Sequence, residues 1–220
     1  MGLNPKVWTG KRVLVTGHTG FKGCWLTLFL KELGAEVVGL ALPPEGSQSL
    51  YLDAGIGQEL FSETFQDIRD EMGVNSAVEG IHIDYVFHLA AAVGVFNIVQ
   101  KPLDSLMTNI RGTENILEAA QVSNRPVLVT SSSEVYGKNV SDSLKEDSER
   151  ILGSPTTLRW SYSEAKAIDE SLAFAYFVEK QLEIRIVRFF NTVGPRQLGA
   201  YGMVVPRFVK SAIADEPITI

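Results

Sequence analysis

Tyr162 and Lys166 are four residues apart in a stretch, Ser161 to Lys180, whose composition reads as a helix. Positions four apart share a helix face. Phenol and ammonium can therefore point into one cleft, where the positive charge favours phenolate and lowers the tyrosine pKa toward the working range. Such a tyrosine is a general base at neutral pH. A Tyr–Lys pair on a solvated face is the plainer alternative, and the pair by itself favours it. Ser131, Ser132, Ser133 and Glu134 follow an apolar run, Val127 to Thr130, just past the expected carboxyl end of a strand. In doubly wound sheets that edge is where ligands bind. His88-Leu89-Ala90-Ala91-Ala92 ends another such run. Small residues there let a ligand lie against the backbone, and His88 reads as a satisfied core histidine. No metal-ligand spacing joins His18, His82 and His88.

These groups need a platform. Val13, Leu14 and Val15 read as a buried strand, and Gly17, Gly20 and Gly23 follow at three-residue spacing before a helical run, Cys24 to Leu33. The first glycine permits a tight turn, the second lets a pyrophosphate approach, and the third lets helix and strand pack closely. Free N–H groups and the helix dipole favour the anion. Further strands are expected at Glu36 to Leu42, Leu60 to Phe65, Ile81 to His88, Val127 to Thr130 and Ile184 to Phe189. Helices are expected at Pro102 to Gln121, Ser161 to Lys180 and Val205 to Ala214, before a last apolar segment, Ile218 to Ile220. Pro43 to Ser49 is a break, and Ser141 to Ser154 a charged surface loop. Alternating strands and helices predict an α/β fold, a Rossmann-like doubly wound parallel sheet with helices on both faces.

Composition narrows the function. The chain is 45% hydrophobic and 21% charged with net charge −6, an ordinary globular balance. No basic cluster points to nucleic acid, and no apolar run is long enough to span a bilayer. The single cysteine, Cys24, can form no internal disulfide and suits a reducing cytoplasm. It is expected to face inward as a small hydrophobe. Ile168, Leu172, Phe174, Tyr176, Phe177 and Val178 do not fit one stripe of their helix. This suggests a homodimer through that helix and the Pro102 helix, the alternative being burial under a C-terminal element of the same chain.

In one order the chain carries the TGxxGxxG turn, Asp67-Ile68, His88-Leu89-Ala90-Ala91, Asn109 with Gly112-Thr113, Ser131 to Gly137, YxxxK, and Arg188 to Arg196. This set resembles the extended short-chain dehydrogenase/reductase family, specifically its nucleotide-sugar epimerases, dehydratases and decarboxylases. Trp8 to Lys11, the glycine turn and Gly39 to Pro44 are similar to CDP-glucose 4,6-dehydratases. From about Tyr85 onward, the Arg159 to Tyr162 and Tyr201 to Met203 neighbourhoods included, the chain is more similar to UDP-sugar epimerases and UDP-glucuronate decarboxylases. A chimera with a junction between about Arg69 and Tyr85 would explain this; a divergent natural gene is the alternative.

The resemblance implies roles. Tyr162 would be the base that takes the sugar 4-hydroxyl proton, with Ser132 hydrogen-bonded to the same hydroxyl. Lys166 would lower the tyrosine pKa and bind the nicotinamide ribose. Asn109 would support the lysine through a water-mediated network. Asp67 and Ile68 would meet the adenine, and Leu89, Ala90 and Ala91 the pyrophosphate and ribose. Phe189, Asn191 and Val193 would lie by the nicotinamide and sugar. Gly17, Thr19, Gly20, Phe21, Lys22, Gly23 and Ser131 complete the implied cofactor contacts. Dehydratases of the family place Asp-Glu after the catalytic hydroxyl; Ser133 and Glu134 stand there instead, the pairing of decarboxylase relatives. The implied activity is 4-epimerase or decarboxylase through a 4-keto sugar, with 4,6-dehydratase behind. The cofactor is expected to be NAD, with NADP left open, since Ala41 stands where an acidic residue usually meets the ribose. Residues 1–200 would form the NAD-binding domain and 201–220 the start of a largely missing substrate-binding region. A dinucleotide-binding domain without turnover is the contrasting expectation.

Overall fold

The computed structural model describes residues 5–44, 46, 49–199 and 203–218 of the chain. The first four residues, part of the Pro43–Ser49 break, Ala200, Tyr201, Gly202, Thr219 and Ile220 lie outside the described residues. In order, the elements are β1 (Arg12–Thr16), α1 (Phe21–Glu32), β2 (Glu36–Ala41), α2 (Leu50–Asp53), α3 (Ile56–Glu59), β3 (Ser62–Phe65), α4 (Glu71–Val78), β4 (Tyr85–His88), α5 (Val95–Gln100), α6 (Pro102–Val122), β5 (Val127–Ser132), α7 (Ser161–Lys180), β6 (Ile184–Phe189) and α8 (Val204–Ile213). All strand pairs are parallel, in the spatial order β3-β2-β1-β4-β5-β6. The order reverses between β1 and β4, and a ligand crevice opens outside the carboxyl ends of the strands at such a reversal.

Strand residues alternate between two cores, as the pleat requires. Leu14, Val38, Val86, Val127 and Val129 pack with Ile116, Leu117 and Ala173 from α6 and α7. Val13, Val15 and Val37 pack on the other face with Leu30 of α1. Burial on both faces explains why β1 reads as an unbroken apolar run.

Several boundaries differ from expectation for local reasons. β4 starts at Tyr85 rather than Ile81 because Asp84 interrupts the ladder. Its carboxylate accepts from Arg12 N and Lys11 Nζ, each at 2.8 Å. β5 runs on to Ser132, where Ser131 and Ser132 pair with Arg188 and Phe189 of β6. α1 begins at Phe21 because Gly20 O accepts from Cys24 N and closes the first turn there. Lys22 and Gly23 are therefore helical. α2 to α5, four to eight residues each, carry no long period and escape a periodicity reading. α7 and β6 match the expected bounds.

Candidate active site

Four loops meet at the carboxyl ends of β1, β4, β5 and β6. The first is the glycine turn. Gly17 has φ +75°, and a Cβ there would lie 2.8 Å from Ala90 N, so turn and β4 loop touch backbone to backbone. A Cβ on Gly23 would collide with the Gly17 carbonyl and sit 2.7 Å from His18 Cα. Gly20 is different. Its φ of −79° suits any residue, and a Cβ there would meet only Gly17 O, at 3.3 Å. That glycine leaves room on the open side rather than room for the fold. No side chain caps α1, so its first N–H groups stay available for an anion. The turn therefore fits a pyrophosphate. Thr19 ties it to the end of β2 through Leu42 O at 3.0 Å. His18 turns the other way: it is buried, 2.6 Å from Glu63 through Nε2. Burial holds its pKa below the usual histidine value despite Glu63.

The second loop hangs on His88. Thr16 Oγ1 accepts from Leu89 N and Ala90 N, both at 3.1 Å. Its own proton is then directed to His88 Nδ1 at 2.8 Å, and His88 Nε2–H donates to Thr113 Oγ1 at 3.0 Å. Burial and then the charge of Lys166 push the histidine down to about 3, so it is a neutral strut. Asn109 clamps Ala92: Oδ1 accepts from its N–H at 3.1 Å and Nδ2 donates to its carbonyl at 3.3 Å and to Ser105 O at 2.9 Å. Both amide protons of Asn109 are thereby spent on backbone. The structure does not bring this side chain to Lys166 directly; it shapes the loop of Ala90 to Ala92. Ile68 is buried against Gly112 of α6 and its carbonyl accepts from Asn115, so only its backbone N–H is left for a ligand. Asp67 is held by Arg69, whose bonds keep its carboxyl below the usual range. β2 ends on buried Ala41, with no carboxylate at its tip.

The third and fourth loops carry the polar chemistry. Ser132 Oγ accepts from Glu134 N at 3.2 Å and starts a 3-10 turn, Ser133–Tyr136. Ser163 of α7 donates to Glu134 O at 2.6 Å, strapping that turn to the helix. Tyr162 in the first turn of α7 is half-buried. Lys166 is 2% exposed and donates to Thr130 O and Asp169 Oδ2, each at 3.0 Å. No hydrogen bond joins the Tyr162 hydroxyl to Ser132 or Lys166 among the described residues. Lys22 reaches across the crevice, 4.8 Å from the Phe189 ring centre. Burial and then the charge of Lys166 hold its pKa below the usual lysine value. Glu134 is exposed, 3.9 Å from Arg159. Asn191 and Val193 are exposed beyond β6. Val193 also lines a cavity of about 480 Å³ between this segment and α8, with Arg196, Gln197, Val205, Val209 and Ile213.

The motifs contained Thr16, Thr113 and Arg188 without giving them a role, and sequence reasoning missed Asp169 and Glu170; all are struts, Glu170 pairing with Arg188 (2.7 and 2.8 Å) to tie α7 to β6 beside Ser131. Asp169 alone left a trace, three residues after Lys166 on one helix face. Cys24 is buried, its thiol pushed up to about 12 by burial, which suits a core residue.

Residues 13–220 match the family described as the NAD dependent epimerase/dehydratase family. The chain is similar to a UDP-N-acetyl-alpha-D-glucosaminuronate decarboxylase of Bacillus cytotoxicus, 34% identical over 96% of this chain and 64% of that one. It is also similar to UDP-glucuronic acid decarboxylase 1 of Xenopus tropicalis, 32% identical over 96% of this chain and 48% of that one. Matches of that extent cross the stretch between Arg69 and Tyr85 where the two resemblances meet. Among solved structures it is similar to UDP-glucuronic acid 4-epimerase from Bacillus cereus in complex with UDP-glucuronic acid and NAD. The TM-score there is 0.78 at 30% identity, covering 95% of this chain and 65% of that one. The chain thus spans about half to two thirds of the length of these relatives.

Proposed function

Because the chain belongs to the NAD-dependent epimerase/dehydratase family, we propose that it binds NAD and acts on a nucleotide sugar through a 4-keto intermediate, as a 4-epimerase or a UDP-hexuronate decarboxylase. One observation carries the reading. The Ser132–Glu134 turn, Tyr162 and Lys166 are strapped together, through Ser163 to Glu134 O and Lys166 to Thr130 O, beside a glycine turn that fits a pyrophosphate.

Bound NAD would supply the hydride acceptor for carbon 4. The chain's own residues do the rest. Tyr162 takes the proton of the 4-hydroxyl, and Ser132 hydrogen-bonds that hydroxyl and fixes its position. Lys166, held between Thr130 O and Asp169 one turn along the helix from Tyr162, meets the ribose. Glu134, exposed at the turn, is the acid–base group for steps after oxidation. Its neighbour Ser133, in place of the dehydratase aspartate, supports epimerisation or decarboxylation over dehydration. Residues 1–200 serve as the NAD-binding domain, with 201–220 opening a substrate-binding region.

Ile168, Phe174, Phe177 and Val178 are exposed on α7, whereas Leu172 and Tyr176 pack on the core. That second apolar face supports pairing of α7 and α6 with those of a second copy.

The test is incubation with NAD and UDP-glucuronate or UDP-glucose, with products read by mass and NMR. Loss of carbon dioxide or a 4-epimer is expected, and Tyr162→Phe abolishes it while leaving NAD binding within about threefold. Unchanged turnover in Tyr162→Phe would refute the proposed base. NAD binding without product from either sugar would favour the second reading, a dinucleotide-binding module.

A further inference from the structure

Asp169 has no evident use to the fold. It is fully buried on α7, whose other buried positions are Ser163, Lys166 and three alanines, Ala165, Ala167 and Ala173. One carboxylate oxygen, Oδ2, is 3.0 Å from Lys166 Nζ; the other, Oδ1, has no partner. Burying a carboxylate is costly, and an ion pair in the interior seldom repays that cost in stability. An alanine there would be cheaper. The carboxylate matters only through what it does to Lys166.

Lys166 is equally buried, and among the described residues no other carboxylate pairs with it. Its surroundings are a second ammonium, Lys22, whose pKa its charge helps to lower, and neutral His88. A lone ammonium there would face desolvation and like-charge repulsion together. An ammonium has three donors. Two are fixed, on Thr130 O and Asp169 Oδ2, and they set the direction of the third.

We propose that Asp169 is a positioning residue: from three residues along the same helix, and out of contact with solvent, it holds the Lys166 ammonium in place for a dinucleotide hydroxyl. The inference rests on the NAD-binding reading above. Asp169 touches no ligand itself, and its effect passes wholly through Lys166.

A double-mutant cycle on the full chain tests this, with NAD affinity by calorimetry and thermal unfolding as its two readouts. Asp169→Asn keeps the shape and removes the charge; it is expected to weaken NAD binding at least tenfold. Lys166→Met weakens binding by a similar factor. Lys166→Met with Asp169→Asn binds NAD within about twofold of Lys166→Met alone. The double variant also melts higher than Lys166→Met, which strands a buried carboxylate. If Asp169→Asn alone does not fold, the comparison of Lys166→Met with the double variant still decides. An Asp169→Asn protein that binds NAD like wild type overturns the proposal, and so does a double variant tenfold weaker than Lys166→Met. Failure of the wild-type chain to bind NAD would sink the parent reading and this inference together, so the two failures are told apart by the wild-type titration.

Discussion

Replacing Gly20 or Gly23 by alanine separates binding from folding within one turn. At Gly20 the backbone, φ −79° and ψ 165°, is open to alanine, and the new Cβ would meet only Gly17 O at 3.3 Å. The conformational entropy that alanine removes from the unfolded chain, worth about 0.4–1 kcal/mol of stability, roughly offsets that tight contact. Gly20→Ala should therefore melt within about 2–4 °C of wild type, the shift that 1 kcal/mol produces at this chain length. The methyl nevertheless stands on the open side, where a pyrophosphate would approach, so NAD affinity should fall at least tenfold, about 1.4 kcal/mol. At Gly23 the new Cβ would collide with the Gly17 carbonyl and lie 2.7 Å from His18 Cα, all backbone that cannot rotate away. Overpacking of this kind costs about 1–3 kcal/mol, and a backbone collision sits at the upper end, about 3 kcal/mol, so Gly23→Ala should melt roughly 6–12 °C lower as well as binding poorly. Differential scanning fluorimetry and NAD titration read both effects. If Gly20→Ala binds NAD like wild type, or loses as much stability as Gly23→Ala, the assignment of Gly20 to the ligand is wrong.

Two further predictions concern the struts. His88 titrates near 3 in the folded chain, whereas an ordinary histidine takes a proton near 6.5. The unfolded chain then binds a proton that the folded one refuses, so stability is flat above pH 6.5 and falls below it by about 1.4 kcal/mol per pH unit for this group. Urea melts between pH 7.5 and 5 should show His88→Gln with a shallower slope by about one proton; an unchanged slope contradicts the neutral strut. Gly112→Ala would drive a Cβ to 2.6 Å from Ile68 Cγ1. It should cost about 1–3 kcal/mol in unfolding and displace the Asp67–Ile68 turn enough to weaken NAD binding, checked by melting and titration. Wild-type affinity would show that this turn does not meet the cofactor.

The glycine turn, α7 and β6 were legible because each announces itself locally, by glycine spacing, by helix length or by a β-branched run. Function was legible through the joint order of short motifs rather than through any one of them. What was hidden depends on distant partners. Asn109 spends its amide on Ala92, seventeen residues away, and nothing in its own neighbourhood says so. Asp84 ends the ladder below β4 by binding Arg12 and Lys11, so an apolar stretch from Ile81 that reads as strand is not one. Asp169 is only three residues from Lys166, but its burial, and the bond from Lys166 to Thr130 O across the helix–sheet contact, are set by the packing and not by the local sequence. The apolar excess of α7 was readable as composition, and the structure divides it into a core-facing side and an exposed one.

The central claim is that the turn from Gly17 to Gly23 holds NAD. Native mass spectrometry of the purified chain, followed by calorimetric titration with NAD, tests it most directly. One dinucleotide per chain, carried through purification or bound on titration, is the expected result. A chain that carries none and takes up none at millimolar NAD would contradict the account.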